Sequence, residues 1–261
     1  MQINEIHALL LDMDGTVYLG PKPIPGAKEF IHYLQVENIP FLFLTNNPSA
    51  DAAYYSAKLK AMGIDVGPNH ILTAGAATAT YLIEETPWRN VYTLGTPCFE
   101  NELRSAGLVL DSKEPEAVVI SFDKTLTYEK LERACLLLRD GLPYIATNPD
   151  RVCPTEYGYI PDCGAIAALI ESATDRTPRY IGKPSPDFAK MALLKLNAQA
   201  AHAAMVGDRL YTDMEMARLA GLASILVLSG ETTTDDLSKT SQQPDFVFQS
   251  VAELQKAMAT K

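Results

Sequence analysis

The chain has 261 residues, and its 32 acidic side chains outnumber its 22 lysines and arginines, giving a formal net charge of −10. A nucleic-acid groove or an anionic membrane surface needs clustered positive charge, so we expect neither a nucleic-acid polymer nor a membrane as partner. With 47% hydrophobic and 21% charged residues, the composition excludes a disordered chain. The length allows one large domain, or a core with a second domain.

Short apolar runs recur along the chain and predict buried parallel strands. Between them, apolar residues recur at helical spacing, as in Phe30 and Leu34, or Leu131, Cys135 and Leu138. The alternation of strand and helix predicts an α/β fold with a doubly wound, Rossmann-like parallel sheet. The predicted strands cover residues 8–11, 41–44, 91–94, 117–120, 144–146, 203–206, 224–228 and 246–248.

Hydrophobic patterning and cysteine spacing predict where in the cell the protein is located. No apolar run approaches the roughly 20 residues of a transmembrane helix, and the chain does not open on a secretory signal pattern. The four cysteines show no CxxC spacing. We therefore expect a reduced, cytoplasmic protein.

Polar residues follow three of the predicted strands. Asp-Met-Asp-Gly-Thr occupies 12–16, Thr-Asn-Asn-Pro occupies 45–48, and Gly-Asp-Arg with a later Thr-Asp occupies 207–213. A doubly wound sheet binds its ligand at the carboxyl ends of its strands, so these loops are expected to meet. Alone, 12–16 would favour an ordinary Asp-Gly turn, because such turns are common. A Thr-Asn-Pro run recurs at 147–149, where Asn-Pro can simply end a strand in a turn.

The residue types in these loops indicate a site for a divalent cation and a phosphoryl group. Carboxylate oxygens suit a hard cation such as Mg²⁺, which uses few protein carboxylates and keeps substrate phosphate and water as ligands. Lys183 stands in a Gly-Lys-Pro frame before a predicted helix, whose start is marked by Pro186 and Asp187 and whose apolar face is predicted at Phe188, Met191 and Leu194. Most lysines are solvated at the surface, but this frame favours a functional one.

The order of these motifs resembles the haloacid dehalogenase (HAD) superfamily. The segments 12–16, 45–47, 182–184 and 207–213 match its four motifs in order. The segments 226–230 and 244–254 extend the resemblance to class IIA, the NagD-like or p-nitrophenylphosphatase-like branch. The resemblance covers essentially the whole chain.

The resemblance implies a Mg²⁺-dependent phosphatase that hydrolyses small phosphate monoesters, such as nucleoside monophosphates or sugar phosphates, through an aspartyl-phosphate. It implies Asp12 as nucleophile and Asp14 as general acid and base. The phosphoryl oxygens would be held by Thr45, the amide of Asn46 and Lys183. The implied metal ligands are Asp12, the backbone carbonyl of Asp14, Asp208 and, in support or through water, Asp213.

The resemblance also implies an inserted α/β cap of C2 type over residues 81–179, between core segments 1–80 and 180–261. The cap loop 147–164 is expected to face the core and contact a small phosphorylated metabolite. Relatives commonly show Pro-Gly-Xaa-Gly where this chain has Pro-Asp162-Cys-Gly. Asp162 either repels a second anionic group or caps the following helix. Cap-to-cap pairing into a homodimer is compatible with this branch.

Two other functions use similar residues. A receiver-type signalling module also places acids, a threonine and a lysine around Mg²⁺, but its motif order differs and it lacks the second acid pair. A weakly catalytic relative could bind a metabolite without turnover. Because every motif residue is intact, a phosphatase is preferred.

Overall fold

The computed structural model describes residues 2–155 and 157–260. Its strands are β1 (Ala8–Asp12), β2 (Tyr18–Leu19), β3 (Lys22–Pro23), β4 (Phe41–Thr45), β5 (Ile71–Thr73), β6 (Val91–Leu94), β7 (Ala117–Ile120), β8 (Tyr144–Ala146), β9 (Val152–Thr155), β10 (Gly158–Pro161), β11 (Arg179–Tyr180), β12 (Ala203–Gly207), β13 (Ala223–Val227) and β14 (Phe246–Phe248). Its helices are α1 (Ala27–Val36), α2 (Ala52–Ala61), α3 (Ala74–Glu85), α4 (Pro97–Ser105), α5 (Tyr128–Arg139), α6 (Cys163–Thr174), α7 (Pro186–Leu196), α8 (Glu215–Ala220), α9 (Thr234–Lys239) and α10 (Val251–Ala259).

The chain divides into two compact units, each with its own sheet. The first unit contains the chain up to Thr45, Ala53–Leu72, and everything from Pro184 onward. The second unit contains Asn46–Ala52 and Thr73–Lys183. The core and cap boundaries expected from the sequence, at 80/81 and 179/180, stay a prediction. Among the described residues, no helix combines the length and the apolar character needed to cross a membrane.

The sheet of the first unit has six strands in the order β14-β13-β12-β1-β4-β5. The strands from β14 through β4 pair in parallel. When these six strands are renumbered in chain order, they show the doubly wound order 3-2-1-4-5-6. The direction in which successive strands are added reverses between β1 and β12. Helices α7 and α8 pack against each other and against these strands, while α1 packs on α10. The predicted fold class is therefore confirmed, and its ligand-binding edge lies where β1 and β12 end.

All eight predicted strands are present, because each apolar run is long enough to fill one strand of a covered sheet. β1, β4 and β12 are buried along their whole length. The prediction of burial is wrong for β14, whose Val247 is 38% exposed, because β14 is an edge strand with one neighbour. The opposite edge strand, β5, was not predicted: three residues are too few for a periodic signal.

Helix α7 begins where the proline pattern places it. Ser185 is its N-cap, and the Ser185 hydroxyl accepts a hydrogen bond from the Asp187 N–H. Phe188 is fully buried as predicted, but Leu194 is 68% exposed, so the predicted apolar face is wrong at that position. The buried face instead continues through the small residues Ala189 and Ala192, which allow the helix to lie close to the sheet.

The second unit has a parallel sheet of its own, in the order β11-β8-β7-β6. Its core lies between this sheet and helices α5 and α6 and includes Val118, Leu138 and Ile166. The segment expected to be a loop contains an antiparallel hairpin, β9-β10, instead. Asp162 caps α6: its carboxylate accepts a hydrogen bond from the Cys163 N–H and is buried. The capping interpretation is therefore confirmed, and repulsion of a second anionic group stays a prediction.

Candidate active site

Three aspartates meet at the switch point of the first sheet. Asp12 ends β1, Asp208 follows β12, and Asp213 lies in the single π-helical turn Leu210–Met214. Each offers one carboxylate oxygen, and these oxygens lie within 4.8 Å of one another. All three side chains are buried, with Asp213 fully so. The strand order brings together acids that are about 200 residues apart in the sequence.

Asp208 is clamped by backbone on several sides. Its Oδ2 accepts a hydrogen bond of 2.6 Å from the Glu231 N–H. Gly15 and Gly230 lie so close to this carboxylate that a Cβ at either position would collide with it. Burial, followed by the negative charges of Asp12 and Asp213, raises the pKa of Asp208. The fold thus holds a carboxylate where it is unfavourable without a compensating cation.

Asp213 is fixed by the turn that contains it. Its Oδ2 accepts a hydrogen bond of 3.1 Å from the Arg209 N–H. The Arg209 side chain points to an acid of the next loop, with Nε 2.9 Å from Glu231 Oε2. Tyr211 donates to the other oxygen of Glu231 at 2.9 Å. The π-helical turn therefore directs one acid inward and ties its neighbours to the loop that also holds Asp208.

The aspartate cluster fits a hard divalent cation. Three buried carboxylate oxygens within 4.8 Å are a suitable donor set for such an ion. Asp208 Oδ1 is buried and accepts no hydrogen bond from any residue in 2–155 or 157–260. A buried oxygen of this kind is costly unless a partner is bound. The residues Asp12, Asp208 and Asp213 could therefore hold a metal ion.

Asp14 lies beside the cluster and is exposed. Its Oδ2 accepts a hydrogen bond of 3.2 Å from the Tyr18 hydroxyl. Partial loss of surrounding water raises the pKa of Asp14; the Lys58 ammonium opposes this rise, and the charge of Asp12 adds to it. An exposed carboxyl group whose pKa is raised is suited to carrying a proton to and from a substrate.

Thr45 lies next to Asp12 on the adjoining strand. The register pairs Asp12 of β1 with Leu44 of β4, so Thr45 ends β4 one residue beyond Asp12. Thr45 is buried, and the Thr16 hydroxyl contacts Asp12 Oδ2 at 3.4 Å. Thr45 and Asp12 therefore lie at the same edge of the sheet.

Asn46 and Lys183 are joined in the second unit. Asn46 Oδ1 accepts a hydrogen bond of 2.8 Å from the Lys183 N–H, and Asn46 Nδ2 donates to the Lys183 carbonyl at 2.9 Å. The same Nδ2 donates to Asp150 Oδ2 at 2.7 Å, and Asn148 donates to that oxygen at 2.9 Å. The side chains of Asn46 and Asn148 thus converge on Asp150. Lys183 is only 3% exposed, so it is not an ordinary surface lysine.

Several residues around the site were not predicted. Tyr18 and Lys58 contact or face Asp14, Arg209 and Glu231 bracket the aspartate cluster, and Asp150 holds Asn46. Asp14 and Tyr18 are four residues apart, a spacing that could have been noticed beside Gly15. The other contacts join residues far apart in the chain, so sequence spacing carries no signal for them.

Comparison with known proteins places the chain among hydrolases. Residues 9–109 match the family model described as haloacid dehalogenase-like hydrolase, and residues 180–254 match one described as HAD-hydrolase-like. The chain is 39% identical over 259 residues to acid sugar phosphatase of Staphylococcus aureus, covering 97% of this chain and 100% of the relative.

Solved structures agree along nearly the whole chain. A 4-nitrophenylphosphatase from Thermotoga maritima has a TM-score of 0.94 and 44% identity, covering 98% of both chains. NagD from Escherichia coli K-12 has a TM-score of 0.90 and 33% identity, covering 97% of this chain and 98% of the other.

Proposed function

This chain belongs to the haloacid dehalogenase-like hydrolases, and on that premise we propose that it is a Mg²⁺-dependent phosphatase of small phosphate monoesters acting through an aspartyl-phosphate. The observation that carries the proposal is the convergence of Asp12, Asp208 and Asp213 at the switch point of the sheet. The names of the staphylococcal and Thermotoga relatives support a phosphomonoester as substrate. Within that class, the name of the staphylococcal relative favours sugar phosphates as substrates.

The proposed first step forms the covalent intermediate. A carboxylate oxygen of Asp12 attacks phosphorus, and the bond from phosphorus to the ester oxygen breaks. The proton that the departing oxygen needs comes from Asp14, which suits its exposed position and raised pKa. The products of this step are the free alcohol and phosphorylated Asp12.

The proposed second step restores the enzyme. Asp14, now a carboxylate, takes a proton from water as the water oxygen attacks phosphorus. The bond from phosphorus to Asp12 breaks and inorganic phosphate leaves. One carboxyl group therefore serves both steps and returns to its starting protonation state.

Charge on the transferred group must be neutralised throughout. Asp12, Asp208, Asp213 and the Asp14 carbonyl would hold Mg²⁺, which supplies Lewis-acid neutralisation of phosphoryl charge when bound. Thr45, the Asn46 N–H and Lys183 are proposed to hold the phosphoryl oxygens. The proposed cap, residues 81–179, would contact the rest of the substrate. The cytoplasmic location and the homodimer stay predictions.

Replacing the nucleophile tests the proposal. Asp12→Asn and Asp12→Ala are each expected to abolish Mg²⁺-dependent release of phosphate from p-nitrophenyl phosphate. Asp65→Asn is the matched control, because the Asp65 side chain is 85% exposed and forms an ion pair with the exposed Lys60. Retained turnover in both Asp12 variants would remove Asp12 as nucleophile. A Mg²⁺-supplemented screen of phosphate esters, ranked by kcat/KM, then identifies the substrate class.

A further inference from the structure

The hydroxyl of Tyr18 is a fixed donor to Asp14. Tyr18 is fully buried, and its hydroxyl lies 3.2 Å from Asp14 Oδ2. The loop itself sets this geometry: the Gly15 N–H donates to the Tyr18 carbonyl at 2.8 Å, and the Tyr18 N–H donates to the Met13 carbonyl at 3.1 Å. The left-handed backbone of Gly15, with φ of +88°, lets the chain fold back on itself here. Asp14 and Tyr18 are therefore held together by backbone as well as by side chain.

The ring of Tyr18 is also held from helix α2. Lys58 Nζ lies 3.8 Å from the ring centroid, the distance of a cation–π contact. The ordinary pKa of a tyrosine phenol is about 10, well above neutral pH. The phenol accordingly keeps its proton across the working range of pH. It stays a donor whichever protonation state Asp14 adopts.

A donor at Oδ2 determines which oxygen of Asp14 can carry the acid proton. A carboxyl group has two oxygens, and one that accepts a hydrogen bond from a permanent donor is the poorer position for a proton. We propose that Tyr18 is a positioning residue, which occupies Oδ2 and so leaves Oδ1 as the oxygen that passes a proton to the leaving group. This inference rests on the proposed function, in which Asp14 is the general acid.

The departing group distinguishes this role from simple packing. p-Nitrophenolate is a stabilised anion and leaves without a proton, whereas a sugar alkoxide leaves only with one. Misplacing the acid therefore slows alkyl esters much more than aryl esters. A packing defect changes the amount of active enzyme and slows both by the same factor.

The test is the ratio of kcat/KM for glucose 6-phosphate to kcat/KM for p-nitrophenyl phosphate. Tyr18→Phe removes one oxygen atom, and we expect the ratio to fall about tenfold, as part of the roughly 10²–10⁴-fold that a general acid contributes. Asp14→Asn is expected to lower the ratio by about a hundredfold or more. Tyr33→Phe, a half-buried tyrosine of α1 in the same unit, should leave the ratio unchanged.

Each result decides between the two proposals. A lowered ratio in Asp14→Asn with an unchanged ratio in Tyr18→Phe overturns the positioning role alone. An unchanged ratio in Asp14→Asn overturns the acid role of Asp14 in the proposed function, and this inference with it. If Tyr18→Phe does not fold, Tyr18→Met, which also lacks a donor, gives the same ratio test. In the double variant with Asp14→Asn, the change at Tyr18 should lower the ratio no further.

Discussion

Comparing Gly15→Ala with Gly20→Ala separates the cost of backbone strain from the cost of disturbing the proposed metal ligands. Gly15 has φ of +88°, and a Cβ there would collide with the Asp208 carboxylate. Gly20→Ala is a matched control in the same unit, because Gly20 has φ of +57° and open space around its Cβ position. A side chain in the left-handed region costs roughly 1–2 kcal/mol, so Gly20→Ala should lose about that much free energy of unfolding and Gly15→Ala at least as much.

Only Gly15→Ala is expected to affect metal binding. The new methyl group must displace the Asp208 carboxylate, and this carboxylate cannot shift without disturbing its contacts with Gly230 and with the Glu231 N–H, which donates to it at 2.6 Å. Displacing one of the cluster's carboxylates should cost at least about 1.4 kcal/mol of metal affinity, equivalent to tenfold. The Mg²⁺ concentration for half-maximal hydrolysis of p-nitrophenyl phosphate should rise accordingly.

Two measurements check this expectation. Urea unfolding of the metal-free proteins gives the strain cost, and Mg²⁺ titration of activity gives the metal effect. Equal Mg²⁺ requirements in Gly15→Ala and Gly20→Ala would refute the reasoning, because the collision with Asp208 would then have no consequence for the site.

Three further outcomes follow from contacts elsewhere in the chain. Asn46→Ala removes two hydrogen bonds to the Lys183 backbone, so the inhibition constant of inorganic phosphate should rise about tenfold in the wild-type background. In the Lys183→Ala background the same change should raise it less than about twofold. Equal effects in both backgrounds would refute the idea that Asn46 acts by positioning Lys183. Burial raises the pKa of the Glu102 carboxyl to about 7, so the folded state binds this proton more tightly than the unfolded state does. The resulting stability is fully present below the pKa of the unfolded state and is lost as pH rises through about 7. The loss is at most about 3 kcal/mol. Urea unfolding at pH 5 and pH 8 should show a smaller drop in the free energy of unfolding for Glu102→Gln than for the wild type, and an unchanged drop for Glu132→Gln, an exposed control. An equal drop in Glu102→Gln and the wild type would contradict this role of Glu102. Asp162→Ala should cost about 1–2 kcal/mol by urea unfolding through loss of the α6 cap, and unchanged stability would contradict the capping role.

The sheet and its ligand edge could be predicted because the signals are local. An apolar run such as 41–44 followed by Thr-Asn-Asn identifies both a strand and the polar loop at its end. The doubly wound order then places the ends of β1, β4 and β12 side by side. Sequence reasoning fails where burial depends on position in the sheet, as at Val247, or on which helix face meets a neighbour, as at Leu194.

The supports of the site could not be predicted, because they join distant residues. Asn46 is 137 residues from Lys183 and 104 from Asp150, and only the folded chain shows that its side chain bonds both. Asp162 was ambiguous for a related reason: the same acid can cap a helix or face a ligand, and the orientation of its carboxylate decides. Residue type alone indicates the chemistry, whereas contacts determine which side chains position it.

Trapping the covalent intermediate tests the central claim most directly. Asp14→Asn lacks the proposed base of the second step, while an aryl ester is expected to complete the proposed first step without a proton. Acid quenching during turnover of p-nitrophenyl phosphate with Mg²⁺, followed by peptide mass analysis, should therefore find one phosphoryl group on Asp12, accumulated above the wild-type level. Phosphate release by Asp14→Asn with no phosphoryl group on Asp12, or with the group on another residue, would contradict the aspartyl-phosphate mechanism.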